Sequence, residues 1–447
     1  MRASLALFAL LAAAPAAAQP PARNAQVDSM LAAINASSIE ARIRKLVSFR
    51  TRHTLSRTDS DTQGIGAARR WIKAELDGCS RAAGGRLRVE LDSFIQPPAR
   101  RVPQPVEIVN IVATLPGTQP QAANRIYVVS GHYDSMPTNV MDGESEAPGA
   151  DDDASGVAAV MEMACTMAFQ RYDATLVFMA VAGEEQGLLG SARWAEEAKK
   201  KGLNIAGMVT NDIIGSPTGA DGQRHDGEVR LFANGIGKSP ELGEIVRFGG
   251  ENDTPTHELG RYLKDAAELY VPGMTVRLIP RPDRFLRGSD HMSFLERGYA
   301  AVRFVEPAED YRHQHKNVTV VNGVQEGDLP QFVDFDYVAK VTRVNLAGLA
   351  SLALAPAVPR EVGIEVVQLE NDTTLRWRAN DEPDLAGYRI VWREVGALTW
   401  QYARDVGNVT RYTLKGISKD DYIFGVVALD RDGNASPAAF PRPWRQP

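Results

Sequence analysis

Cysteine is almost missing from this chain of 447 residues: there are two, Cys79 and Cys165. Cysteines therefore cannot be the main ligands of a metal centre. The pair is compatible with one disulfide or with two buried thiols acting as small apolar residues, and the sequence leaves both open. Long hydrophobic runs are also absent, since no stretch approaches the ~20 apolar residues of a membrane-spanning helix. Nor is there a basic tract. Lysine and arginine total 50 against 56 acids, the signs are scattered, and the net charge is −6. Nothing in that balance suggests a nucleic-acid partner, and a mildly acidic surface says little about a substrate. With 44% hydrophobic and 24% charged residues the chain has the composition of a globular protein.

The first residues stand apart. Met1-Arg2 precedes an Ala/Leu-rich run over 3–14, then Pro15 and Ala16-Ala17-Ala18. This is the three-part layout of a secretory signal over 1–18, cut near Ala18, and it predicts export to the periplasm or the extracellular space. Residues 19–37 read as an N-terminal linker. Over 38–354 helical and strand-like runs alternate. Helices are expected over 38–47, 62–76, 156–169 and 191–200, with Thr62 as an N-cap. Strands are expected over 108–114, 125–130, 174–182, 205–211 and 299–306. That alternation predicts a three-layer α/β sandwich with a mostly parallel central sheet.

A Pro/Ala-rich linker over 355–361 separates this unit from 362–447, where every run is short and β-like. Trp377, the segment Asp384-Leu385-Ala386-Gly387-Tyr388, and the stretch from Tyr422 to Asn434 resemble a fibronectin type III domain, with Tyr422 at the corner-tyrosine position. The resemblance implies a small immunoglobulin-like sandwich. It leaves open a polymer- or cell-surface contact or a simple bracing role.

Chemistry is concentrated where apolar runs end, which in open α/β sheets is where ligands bind. His132 follows the run Ile126–Ser130, with Asp134 two residues on, placed to receive the other imidazole N–H or to brace a ligand. Asp151-Asp152-Asp153 stand together ahead of an apolar helix. One acid suffices as an N-cap, but three repel one another unless a cation shares the site. Glu184-Glu185 follow the buried run 175–182, where an unpaired charge is costly and where one carboxylate can bind a metal while its neighbour moves a proton. Asp212 lies within a strongly apolar stretch, and the run ending at Glu306 leads to His313 and His315.

In this order and with these flanks the chain resembles the M28 family of zinc metallopeptidases over about 38–353, most densely between Gly131 and Asp212. The resemblance implies two zinc ions per chain. His132 would bind one ion, Asp152 would bridge both, Glu185 and Asp212 would complete the separate metals, and His313 would be the last ligand. Glu184 would be the general base and Asp134 the carboxylate behind His132. It also implies a non-proline cis bond at Asp152-Asp153. His313 is preferred to His315 because Asn317, four positions on, is the nearer match to the family's acid. His291, in Gly288-Ser289-Asp290-His291, is read as supporting or structural, and His53, His225 and His257 as surface residues. The implied activity is removal of N-terminal residues from peptides with a free amine by a water that the two ions activate. Rivals are a carboxypeptidase or a single-zinc glutaminyl cyclase on the same fold, and a binding protein that has lost catalysis.

Overall fold

A computed structural model describes residues 23–234, 242–247, 249–251 and 253–445. The signal segment expected over 1–18 lies outside the described residues. The first described helix, α1 (Ala25–Ala33), falls in the stretch expected to be a linker. Asn24 caps it, accepting from the Gln26 amide, and Val27, Met30 and Leu31 are buried at helical spacing. Helix α2 (Ala36–Val47) follows, then α3 (Gly64–Ala82), which starts after Gln63 without the Thr62 cap.

Strands β1 (Arg88–Gln96), β2 (Val106–Leu115) and β3 (Arg125–His132) lead to α4 (Ala154–Met167), β4 (Thr175–Val181), α5 (Leu189–Lys200), β5 (Asn204–Asn211) and β6 (Glu228–Phe232). Then come α6 (Leu242–Arg247), α7 (Pro255–Tyr270), β7 (Thr275–Ile279), α8 (His291–Leu295), β8 (Ala301–Val305), a hairpin of β9 (Thr319–Val321) and β10 (Val324–Glu326), and α9 (Phe335–Leu354).

The first eight strands form one mixed sheet in the order β1-β2-β4-β3-β5-β8-β6-β7. Its centre, β4-β3-β5-β8, is parallel, as is β6 with β7; β1 with β2, β2 with β4, and β6 with β8 are antiparallel. Successive residues of β4 feed opposite faces. Leu176, Phe178 and Ala180 join the large core under α1–α4, α7 and α9, while Val177, Met179 and Val181 join a smaller one under α5 and α8. The expected three-layer sandwich is what these residues build. A disulfide links Cys79 on α3 to Cys165 on α4, which decides between the two readings of the cysteine pair.

Beyond α9 two small sheets face each other across a core of Leu375, Trp377, Tyr388, Ile390, Trp392 and Phe424. One contains β11 (Arg360–Glu365), β12 (Thr373–Arg378), β15 (Arg411–Leu414) and β17 (Arg442–Trp444); the other contains β13 (Leu385–Glu394), β14 (Tyr402–Gly407) and β16 (Tyr422–Asp430). This all-β unit docks on α7 through buried charge. Glu258 accepts from the Ala438 amide (2.9 Å) and the Trp400 indole (3.3 Å), Arg261 donates to the Leu398 carbonyl (2.6 Å), and Arg393 pairs with Asp253. His257, expected at the surface, is fully buried beside this cluster. Burial and the nearby arginines push its imidazole down to about 3, so it stays neutral.

Candidate metal centre

The centre lies at the carboxyl ends of β3, β4 and β5. The strands deliver His132, the Glu184-Glu185 pair and Asp212, and the turn into α4 delivers Asp152. Asp152-Asp153 is the one non-proline cis peptide among the described residues. Asp153 caps α4 by accepting from the Gly156 amide (3.0 Å) and also holds the His132 amide (2.9 Å). The three acids thus divide their work. Asp151 turns away to the Gly215 amide (2.6 Å), and Asp152 alone points into the centre.

Asp152 faces two groups at once. Its Oδ1 is 3.1 Å from His132 Nε2, which is 3.8 Å from Asp212 Oδ1. Its Oδ2 is 3.0 Å from His315 Nε2, which is 3.1 Å from Glu185 Oε1. Within each trio, His132–Asp152–Asp212 and Asp152–Glu185–His315, the ligand atoms lie within 4.8 Å of one another.

The last histidine differs from the expectation. His313 stacks on Phe332 (centroids 3.6 Å apart) and lies 3.8 Å from Asp310, outside both trios, while His315 enters the second. His315 holds a left-handed φ of 50°. Asn317 ties down a neighbouring loop instead, accepting from the Thr138 amide (3.1 Å).

The donors fit a borderline divalent cation. Two imidazoles and three carboxylates form a nitrogen–oxygen set of the kind zinc takes, with three protein ligands per position leaving room for water or substrate. Glu185 Oε1 is buried and makes no hydrogen bond despite its closeness to His315, the arrangement of two ligands aimed at a common third atom.

Electrostatics agree with the geometry. Burial, with Glu185, Asp212 and Asp290 nearby, pushes the Glu184 carboxyl well above its usual range. Burial would do the same to Asp212, but the Arg303 guanidinium and His132 outweigh it and hold that carboxylate well below its usual range. Asp134 stands behind His132, yet His132 Nδ1 is closer to the Asp134 carbonyl (3.1 Å) than to its carboxylate (3.7 Å). The carboxylate receives the amides of Glu184 (3.3 Å) and Glu185 (3.2 Å) and the Thr54 hydroxyl (2.9 Å).

Residues 110–322 match the description of peptidase family M28. A probable zinc metalloprotease of Leptosphaeria maculans is 47% identical over 426 residues, covering 95% of this chain and 98% of the relative. The chain belongs to peptidase family M28. It is a zinc metalloprotease. The LapA aminopeptidase of Legionella pneumophila shares the fold at a TM-score of 0.51 and 19% identity, over 74% of this chain and 75% of that one. A Bacteroides thetaiotaomicron glutaminyl cyclase does so at 0.50 and 15%, over 71% and 98%.

Several parts of this M28 centre are invisible to motif reading. Asp328 accepts the amides of Asp151 (2.8 Å) and Asp152 (2.7 Å) and so clamps the acidic turn from far along the chain. Fully buried Arg303 on β8 joins Asp212 (3.0 Å) to Asp283 (3.0 Å). Fully buried Arg52 donates to the carbonyls of Tyr133 (2.8 Å), Pro148 and Gly149 (2.8 Å). Asp290, next to His291, is buried with neither oxygen hydrogen-bonded, and burial pushes it up to about 7. His291 is buried on the Pro282 carbonyl (2.7 Å), in keeping with a supporting role. His53 is also buried, contrary to expectation, its Nε2 on the Val140 carbonyl (3.0 Å), whereas His225 is part-exposed.

Proposed function

We propose that this metalloprotease is an exported aminopeptidase whose centre takes two zinc ions. His132 and Asp212 hold one, Glu185 and His315 hold the other, and Asp152 is shared. The observation that carries the reading is the division of Asp152 between two imidazoles, 3.1 Å from one and 3.0 Å from the other. A single ion would leave one trio of buried acids and histidine uncompensated.

When bound, zinc supplies an attacking water of lowered pKa and positive charge beside the scissile carbonyl. Glu184 is the general base. It is part-exposed, unlike buried Glu185, which leaves it free to take a proton from the attacking water and pass it to the leaving amine. Asp134 orients His132 through its carbonyl and fixes the Glu184-Glu185 turn through its carboxylate. The Glu184 and Asp290 carboxyls near the centre are hydrogen-bonding partners for a free substrate amine. The C-terminal unit is read as a fibronectin type III-like sandwich. The apolar leader supports export, and the disulfide suits an oxidising compartment.

The test is elemental analysis with kinetics. The purified protein should carry two zinc ions per chain and cleave free-amine peptides but not N-acetylated ones. Glu184→Gln should keep both ions and lose turnover by ~100- to 10,000-fold. One ion per chain, or equal cleavage of blocked peptides, would overturn the reading.

A further inference from the structure

The rim of the centre carries charge for which the reaction at its floor has no use. Two loops form it. One runs from β7 to α8 and ends at Asp290; it carries Arg281, Arg284 and Arg287. The other follows β8 toward His315 and carries Glu309 and Tyr311.

Glu309 is a single acid at the meeting point of three guanidinium groups: Arg230 (2.7 Å), Arg284 (2.7 Å) and Arg287 (3.3 Å). Asp283 adds little negative charge to the rim, being held by buried Arg303 (3.0 Å) as well as by Arg284 (3.2 Å). Arg281 has no acidic partner among the described residues and lies over the Phe285 ring at 3.7 Å. Arg287 lies over the Tyr311 ring at 5.8 Å. Arg281 and Arg287, the latter at the far edge of the Glu309 cluster, are thus the cations of these loops least neutralised by acids.

The rim is joined to the centre by contact, since Arg303 links Asp283 to Asp212. The loop tip supplies a second sign of a ligand. Phe285 is 79% exposed, Leu286 wholly so, and Leu286 holds a left-handed φ of 57° that a leucine adopts at a cost. Scattered exposed apolar residues mean little, but two at a strained tip with Tyr311 (58% exposed) nearby form an apolar lip beside cations.

We propose that this rim binds a carboxylate of the peptide substrate, borne by an acidic side chain or by the C-terminus of a short peptide, with Phe285, Leu286 and Tyr311 against the adjoining apolar part. Arg281 and Arg287 are the donors with the freest geometry; guanidinium forks suit carboxylates, and their aromatic seats keep them oriented. The inference rests on the peptidase reading above.

The experiment separates the two. Zinc-loaded Glu184→Gln protein is titrated with Ala-Ala-Glu and Ala-Ala-Gln, each as free acid and as amide. Glutamate over glutamine within the amides reports a side-chain carboxylate; free acid over amide within the glutamine pair reports the C-terminus. A preference of about tenfold is expected in at least one comparison. It should fall to within about twofold when Arg281→Gln and Arg287→Gln are added, and weaken at high salt. Both side chains are part-exposed and neither belongs to the hydrophobic core, so the variants should fold. In the wild-type enzyme the corresponding kcat/KM ratios should move in parallel. Equal binding of all four peptides, or a preference that survives the double substitution, overturns the rim proposal. Absence of any turnover by the wild-type enzyme counts against the aminopeptidase reading while leaving the binding titration to judge the rim.

Discussion

At the residue scale, the centre is a set of buried acids most of which have an identifiable partner. Asp153 caps a helix, Asp151 holds an amide, Asp134 holds two, and Asp152 and Glu185 face imidazoles. The motifs around His132, Asp152, Glu184-Glu185 and Asp212 were legible because each is contiguous and follows a strand end. His315 was not. Two histidines two positions apart look alike in the sequence, and composition carries no record of a left-handed φ. The consequence is measurable. His315→Ala should lower bound zinc by about one ion per chain, because it removes a ligand of one trio, whereas His313→Ala should keep both. Metal content after dialysis decides it, and zinc loss in the His313 variant would reverse the assignment.

At the element scale, the sheet could be read wherever a strand was uniformly apolar, as in β3, β4 and β5, because parallel central strands are covered on both faces. Helix α9 escaped for a related reason. It is buried almost all round from Tyr337 to Ala353, so no polar face marks its period. Helix α7 has the start signals of a Thr254 cap and Pro255, but its charged residues Glu258 and Arg261 are buried against the sandwich, so charge was no guide to exposure. The disulfide joins α3 to α4, and α4 begins at the acidic turn of the centre. It closes a loop with a sequence separation of 86, so reduction should lower stability by about 2–4 kcal/mol. Denaturant melts of the Cys79→Ala/Cys165→Ala variant against the oxidised protein test this; coincident midpoints would show that packing alone fixes the two helices.

At the scale of the whole molecule, the two folded units share a buried charge network. Asp253, Glu258 and Arg261 of the catalytic unit meet Arg393, Trp400 and the Ala438 amide of the sandwich. Ending the chain at Val358 removes those partners and exposes or strands the charges, a change that costs about 3–5 kcal/mol for one broken buried pair. The truncated protein should melt well below the full-length protein or fail to accumulate. Equal melting temperatures would mean that the sandwich is an appendage. This dependence was not legible, because nothing in a sequence pairs Asp253 with Arg393.

The clamp at Asp328 has a further consequence for how the enzyme comes into being. It reaches back 176 positions to the Asp152 amide, across most of the catalytic unit. During synthesis every acid of the centre leaves the ribosome well before the carboxylate that fixes the turn bearing the shared ligand. Chains that stop short of that position therefore carry the ligands unfastened, and hydrolytic power arrives late, once the unit is nearly whole.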